Sequence, residues 1–407
     1  MPLPDYLKIQ GRRRALPPRR PSASLLTPPW TLSQLEDVKV SRPVSGDGLF
    51  YNKATNLWYN RPLPVDGFLA NGMGIALVES QGLVWTDLGQ IGVSVKIWSI
   101  AYLGNGIVLV GVGGPAGGRI YRSINYGATW TDLGQLGTET AIRSLAYLGN
   151  GIVVAGTGAG GKIFRSADYG ATWADLGGLG TASSVEELAY LGNGIVVAGT
   201  SGGYPVPSFD RLFRSTDYGS TWTILGYSLS QLEEIVYLGQ GIVLAASGAQ
   251  GELHRSVDYG ATWALEYMLE AEKADTRVMS LCYLGSGIVI AGTNLPDPFG
   301  YGYFFRSNGY GVAASWERIY TTAGMSFLSL VHLGGGVVLA GADYYIYPAW
   351  QPARLLRSTD FGSTWTNLGQ LGAEDHILSL AYLGNGIVLA GTGDGGKIFR
   401  SALVSGV

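Results

Sequence analysis

IRSLAYLGNGIVVAGTGAGGKIFRSADYGATWADLG, residues 142–177, is a passage that the chain repeats seven times with small edits. Its Tyr-Leu-Gly phrase begins at Tyr102, Tyr147, Tyr190, Tyr237, Tyr283, His332 (where His replaces Tyr) and Tyr382. The successive spacings are 45, 43, 47, 46, 49 and 50 residues. A fixed period in this range marks a repeat architecture, in which each copy is one supersecondary unit stacked on its neighbours. The repeat also sorts residues. Those present in every copy build the scaffold, and those present in one or two copies are candidates for function.

Within 142–177, IRSLAYLG is apolar and β-prone, and the Asn-Gly that follows is a hairpin turn. IVVAGT, KIFRS and TWADLG read as three further strands, separated by the glycine turn GAGG and by ADYGA. No stretch between them carries a helical apolar period. Four short antiparallel strands, repeated, define an all-β fold, a seven-bladed β-propeller of four-stranded antiparallel blades. The first strand of each copy is expected nearest the axis. The last copy ends after KIFRS at 397–401, without its fourth strand. The missing piece, LVWTDLG, stands at 83–89. The expected closure therefore pairs this N-terminal strand with the last blade and removes the open edges.

The turn between the third and fourth strands resembles the Asp-box, or bacterial neuraminidase repeat, Ser-x-Asp-x-Gly-x-Thr-Trp. Strict copies are 166–173, 215–222, 256–263 and 358–365. In 123–130 the acid is Asn125, and in 307–316 the turn is stretched and has no acid. A short acid can hydrogen-bond its own turn, and glycine supplies positive φ. Asp168, Asp217, Asp258 and Asp360 are accordingly expected to make turns rather than to catalyse. Trp85, Trp130, Trp173, Trp222, Trp263, Trp316 and Trp365 share the closing position and are expected to plug between strands.

The 407 residues include 63 glycines and only 14% charged side chains. Residues 1–30 hold six basic side chains and one acid, so the remainder carries −8 within a net charge of −3. No apolar run approaches the ~20 residues of a membrane span. The one cysteine, Cys282, stands where other copies have Ala and reads as a small buried residue. Three segments are expected. Residues 1–30 form an extended basic Pro/Arg-rich arm, 31–73 a small attachment module, and 74–407 the propeller. Residues 31–60 resemble a module common in bacteriophage tail and other virion proteins. The resemblance rests on Leu35, Asp37 and Val38, on Gly46, Leu49, Tyr51 and Asn52, and on Trp58 and Asn60. It implies attachment to other virion proteins, tail or capsid, through the N-terminal 73 residues, with Arg12, Arg13, Arg14, Arg19, Arg20, Leu35, Asp37, Leu49, Tyr51 and Trp58 as attachment residues. A unit this small folds poorly alone, so docking or a homo-oligomer is expected.

Asp-box proteins include sialidases, whose chemistry needs an arginine cluster. Here Arg122, Arg165, Arg214, Arg255, Arg306, Arg357 and Arg400 occupy one repeat position and point around a ring. A glycosidase using two aspartates is the enzymatic alternative, with Asp275, Asp297, Asp343 and Asp375 as unpaired candidates. GTGAGGKI (156–163) and GTGDGGKI (391–398) are similar to a phosphate loop but lack the following Ser/Thr and helix, and read as hairpin turns. His254, His332 and His376 share no metal-ligand spacing, so neither a metal nor a cofactor is expected.

The loops between second and third strands share a face with the connections between blades. Three are expanded: 201–210, 294–303 and 342–353. They carry Tyr204, Phe209, Phe299, Tyr301, Tyr303, Tyr344, Tyr345, Tyr347 and Trp350, the expected ligand-binding residues. Variable aromatic loops on a rigid scaffold suit recognition of saccharide or protein. The combined expectation is a non-enzymatic virion protein, made in the host cytoplasm, that presents its propeller to a host-surface glycan or protein or decorates the particle. Nucleic acid is not expected as a partner. The alternative is a virion-associated glycosidase, sialidase-like or a glycan depolymerase.

Overall fold

The computed structural model describes residues 38–39, 47–52, 57–62, 83–93, 96–202, 210–229, 232–247, 251–269, 276–294, 301–346 and 349–403. The chain divides into two compact units, Met1–Ser80 and Gln81–Val407. In the first, Val38–Lys39, Asp47–Asn52 and Leu57–Pro62 form one sheet. The second and third of these strands make an antiparallel hairpin in which Leu49 opposes Asn60 and Tyr51 opposes Trp58. Val38 runs parallel beside Trp58.

The second unit is seven four-stranded antiparallel sheets. Blade 2 follows its sequence reading strand for strand: Ile142–Gly149, Ile152–Thr157, Lys162–Ser166 and Ala174–Gly178, hydrogen-bonded in that order. Its inner strand alternates buried and half-buried residues, with Ile142, Ser144, Ala146 and Leu148 buried. Its second strand is buried almost throughout, because neighbouring blades cover both faces. Gly156 shows how closely the blades approach: a Cβ there would lie 2.6 Å from a methyl of Val185 in blade 3.

The inner strands of blades 1 to 7 are Lys96–Gly104, Ile142–Gly149, Ala182–Gly192, Leu232–Gly239, Arg277–Gly285, Met325–Gly334 and Ile377–Tyr382. Each neighbours the next, and the last neighbours the first. Blade 7 takes its outer strand from Leu83–Gln90, with Trp85 opposite Ser401 and Thr86 opposite Arg400. The expected N-terminal closure is therefore present.

The turn residues do structural work. Ser166 Oγ accepts from the Gly170 amide at 2.9 Å and donates to Asp168 at 2.7 Å. Asp168 in turn accepts from the Thr172 amide and hydroxyl at 2.9 and 2.7 Å. Trp173 closes the turn by donating its indole N–H to the Gly170 carbonyl at 3.0 Å. Partial burial pulls the Asp168 pKa up, but the bonds from Thr172 and Ser166 outweigh it and hold the carboxyl at about 2. In the stretched turn of blade 5 a 3-10 segment, Ala313–Ser315, replaces the acid, and Ser315 bonds Ser307 at 2.6 Å. Five of the repeat arginines, Arg122, Arg165, Arg214, Arg255 and Arg400, latch their blade to the next. Arg122 Nε donates to the Tyr169 carbonyl at 3.0 Å and Arg165 to that of Tyr218 at 2.8 Å. Arg400 donates to the Tyr126 carbonyl at 2.9 Å, across the seam of the ring.

Antiparallel order puts the turns after inner and third strands on one face, which we call the narrow-turn face. The loops after second strands and the connections between blades lie on the other, the variable face. One expected loop there is not a loop. In blade 6 the second strand runs on as Val337–Ile346 and the third begins at Ala349, so 342–353 is a hairpin extending the blade. Tyr345 pairs with Trp350 across it. The run of tyrosine and isoleucine favours β-structure, which explains the extension.

Candidate functional site

The variable face leads into the axial channel, and the inner strands decide what lines it. Counting back from each Tyr-Leu-Gly, the third residue before Tyr is Ser99, Ser144, Glu187, Glu234, Ser280, Ser329 and Ser379 in blades 1 to 7. Five blades have serine, and two adjacent blades have glutamate. The serine is a scaffold residue. Ser280 donates to the Phe327 carbonyl of the next blade at 2.9 Å, and Ser329 to that of Ile377 at 3.0 Å. Ser379 reaches Ile97 at 3.3 Å, again across the seam.

All seven residues line one axial cavity of about 170 Å³. Aliphatic side chains complete its wall, among them Ile100, Leu145, Leu281, Leu330 and Leu380. Glu187 and Glu234 thus sit together inside a narrow channel. Burial pushes the Glu187 pKa up to about 8, with a further push from the charge of Glu186. Burial likewise drives Glu234 well above the usual carboxylate range, helped by Glu187 and Glu233.

One residue nearer the mouth, the repeat position holds Trp98, Arg143, Glu186, Glu233, Met279, Leu328 and Leu378. The Arg143 guanidinium lies 4.1 Å from the centre of the Trp98 ring, with Nη1 3.7 Å from Glu186. Such a stack contributes about 0.5–2 kcal/mol according to how dry it is. Arg277 stands 3.8 Å from Glu233. One side of the mouth is therefore charged and the other aliphatic.

A second polar group lies on the same face. His376 has Nδ1 3.5 Å from Asp343 and Nε2 3.7 Å from Asp394. The hydrogen bond to Asp343 raises the His376 pKa, against the opposing pull of burial. Asp343, one of the glycosidase candidates, is tied to this histidine and to the Ser326 amide at 3.1 Å. Elsewhere, in blade 4, His254 replaces the repeat's Phe. It is buried and bonds the Tyr227 hydroxyl at 2.7 Å. Among the described residues no three His, Cys, Asp or Glu side chains form a metal-holding group.

The expected aromatic residues fare differently. Tyr301 is 46% exposed on the variable face. Tyr303 is 4% exposed and packs in a core cluster with Phe305. The two side chains share one face of the strand, and burial begins one residue into it, where the blade is covered. Tyr344 is half-buried, with Arg354 4.9 Å from its ring centre. For Tyr345 and Trp350 only the backbone is described. Tyr204, Phe209, Phe299 and Tyr347 lie outside the described residues, as do Asp275, Asp297, Arg12, Arg13, Arg14, Arg19, Arg20, Leu35 and Asp37. Leu49, Tyr51 and Trp58 are strand residues of the small sheet. Cys282 is buried as expected, and burial pushes its thiol up to about 12.

No family model matches the chain, and no curated protein matches it in sequence. Its fold has solved counterparts. "YCF48 bound to D1 peptide" superposes with a TM-score of 0.59 at 13% identity, over 80% of this chain and 96% of that one. YCF48 from Cyanidioschyzon merolae gives 0.58 at 12%, over 78% and 98%. A GH74 xyloglucanase from Xanthomonas campestris gives 0.59 at 18%, over 80% of this chain but 54% of the xyloglucanase. At such identities the likeness is one of fold. The chain is a seven-bladed β-propeller, an architecture shared by proteins of unrelated activity.

Proposed function

We propose that this chain is a virion recognition protein, an Asp-box propeller that presents its variable face to a host-surface glycan or protein while the N-terminal segment holds it on the particle. The observation that carries the reading is the placement of exceptions. Turn acids, arginines and tryptophans are spent on the frame. The Glu-for-Ser exchanges, the Trp98–Arg143 stack, the His376 group and exposed Tyr301 lie on or open to the variable face. The attachment role rests on the resemblance of residues 31–60 alone.

A second reading, a glycan-cleaving propeller, has its own support. Glu187 has the raised pKa of a general acid and stands beside a second carboxyl. Of the counterparts named above, one is a xyloglucanase and none is a virion protein, so the comparisons lean this way. Size argues against it. Small-molecule sites usually offer about 300 Å³ or more, and the channel has about 170 Å³.

One experiment separates the two. The full chain is applied to a glycan array and to host cells, and the same glycans are assayed for released reducing ends. Retention without release is the expected result. Release that disappears in Glu187→Gln establishes the glycosidase and overturns the first reading. Particles assembled normally with a chain lacking residues 1–73 overturn the attachment role.

A further inference from the structure

Two blades hold a buried carboxylate at a position where a third has only a methyl group. In blade 2, Glu139 is 2% exposed, accepts from the Thr157 hydroxyl at 2.7 Å and lies 3.6 Å from Lys162 Nζ. In blade 7, Glu374 repeats the arrangement, with Thr392 at 3.1 Å and Lys397 at 2.9 Å. The same lysines also reach an aspartate of the outer strand, Asp175 at 3.0 Å and Asp87 at 3.5 Å. Counted from the shared Tyr-Leu-Gly, Phe-Arg-Ser and Trp motifs, blade 3 keeps the threonine as Thr200 and the cation as Arg211. It has Ala182 in place of the glutamate and Ile224 in place of the aspartate. The backbone there is unchanged. Thr200 donates to the Arg211 carbonyl at 3.1 Å, as Thr157 does to that of Lys162 at 3.3 Å and Thr392 to that of Lys397 at 3.2 Å. Arg211 has thus lost both acids that its equivalents pair with, and none of the described ion pairs involves it. A second, independent observation lies at the same place. Leu179, Ala182, Thr200, Arg211, Phe213 and Ile224 line a cavity of about 420 Å³ on the variable face, and Ile224 is 51% exposed. Small-molecule sites usually offer about 300–1,000 Å³.

We propose that this cavity binds a small carboxylic acid with an apolar body, its carboxylate taking beside Arg211 the position that Glu139 and Glu374 fill in their own blades. A guanidinium presents paired donors that a carboxylate matches edge to edge. Thr200 can turn its hydroxyl from the Arg211 carbonyl to the acid, as Thr157 favours Glu139 at the shorter distance. Leu179, Phe213 and Ile224 give an aliphatic or aromatic body a surface to cover, and they offer nothing to the hydroxyls of a sugar acid. A phosphate is served less well, because its further charge and oxygens need more donors than one arginine and one hydroxyl. A partner's glutamate side chain brings the same charge but little apolar body for this wall. The site stands whether the chain serves a virion or cleaves glycans.

Proton NMR titration of four probes against the full chain tests the proposal: 3-phenylpropanoate, 3-phenylpropanol, glucuronate and acetyl-Gly-Glu-Gly-amide. 3-Phenylpropanoate is expected to bind, and the other three to bind at least about tenfold more weakly. Arg211→Gln is expected to weaken 3-phenylpropanoate by about tenfold to a hundredfold. Ala182→Glu restores the repeat's own acid and is expected to abolish binding, because its side chain then occupies Arg211 and Thr200. Ile224→Asp, which supplies the other lost partner and leaves position 182 as it is, is expected to weaken binding as well. Equal binding of the acid and the alcohol overturns the proposal. So does unchanged affinity in either Arg211→Gln or Ala182→Glu, or no binding of 3-phenylpropanoate. Tighter binding of glucuronate or of the glutamate peptide overturns the assignment to a small apolar acid.

Discussion

Replacing Glu187 by serine should stabilise the propeller, and more so as the pH rises. In the folded chain burial raises the Glu187 carboxyl to about 8 from a usual 4.5. The charged form is disfavoured on folding, so the penalty is absent below about pH 4.5, grows from there, and is complete above about pH 8. At 1.36 kcal/mol per pKa unit, it reaches about 3 kcal/mol at pH 7 and about 5 kcal/mol above pH 8. Glu187 is not fully enclosed, and solvent screening reduces this, so we expect a measured difference of about 2 kcal/mol between pH 5 and pH 8. The new serine adds about 1 kcal/mol at either pH, if it bonds blade 4 as its equivalents bond their neighbours. Glu186 and Glu234 repel the charge, while Arg143 and Arg277 are paired with Glu186 and Glu233. Urea unfolding of wild type and Glu187→Ser at pH 5 and pH 8 reads the effect directly. A gain equal at both pH values, or a loss at pH 8, refutes the reasoning.

Asp168→Ala removes the acceptor for Thr172 and Ser166 and is expected to cost about 1–2 kcal/mol by urea unfolding. Because the Asp168 pKa is held at about 2, that contribution is present above about pH 4 and is lost as the pH falls through 2. His376 has its pKa raised by Asp343, so the pair stabilises the fold below the ordinary histidine pKa and loses that effect as the pH rises. Asp343→Asn should lower the His376 pKa, which a proton NMR titration of the ring measures. Deleting residues 1–80 should leave one cooperative unfolding transition of the propeller, whereas deleting 1–91 removes the outer strand of blade 7 and should lower the urea midpoint sharply.

Much of the frame was legible because the repeat states it seven times. Strand order, the closing strand at 83–89 and the structural use of the turn acids follow from copy-to-copy comparison. The arginine latch was half legible: equivalence excluded convergence on a ligand, but the partner carbonyl lies in another blade, 47 residues on. The channel glutamates were missed although their signal is in the sequence. Aligned on Tyr-Leu-Gly, one column reads Ser, Ser, Glu, Glu, Ser, Ser, Ser. The exchange alters no loop length and so leaves the repeat spacing unmarked. The His376–Asp343–Asp394 group was not legible, since it joins a connection, a second-strand end and a turn from two blades. The different burial of Tyr301 and Tyr303 was not legible, since two residues separate an exposed tyrosine from a buried one on the same strand.

The central claim is that function resides on the variable face and the narrow-turn face is frame. Binding of face-specific variants to host cells tests it most directly. Trp98→Ala, Tyr301→Ala and Glu187→Gln/Glu234→Gln alter the variable face and its channel, whereas Tyr169→Ala, Tyr218→Ala and Phe361→Ala alter exposed residues of the narrow turns. The account predicts that cell binding falls in the first set and persists in the second. Loss confined to the second set would contradict it.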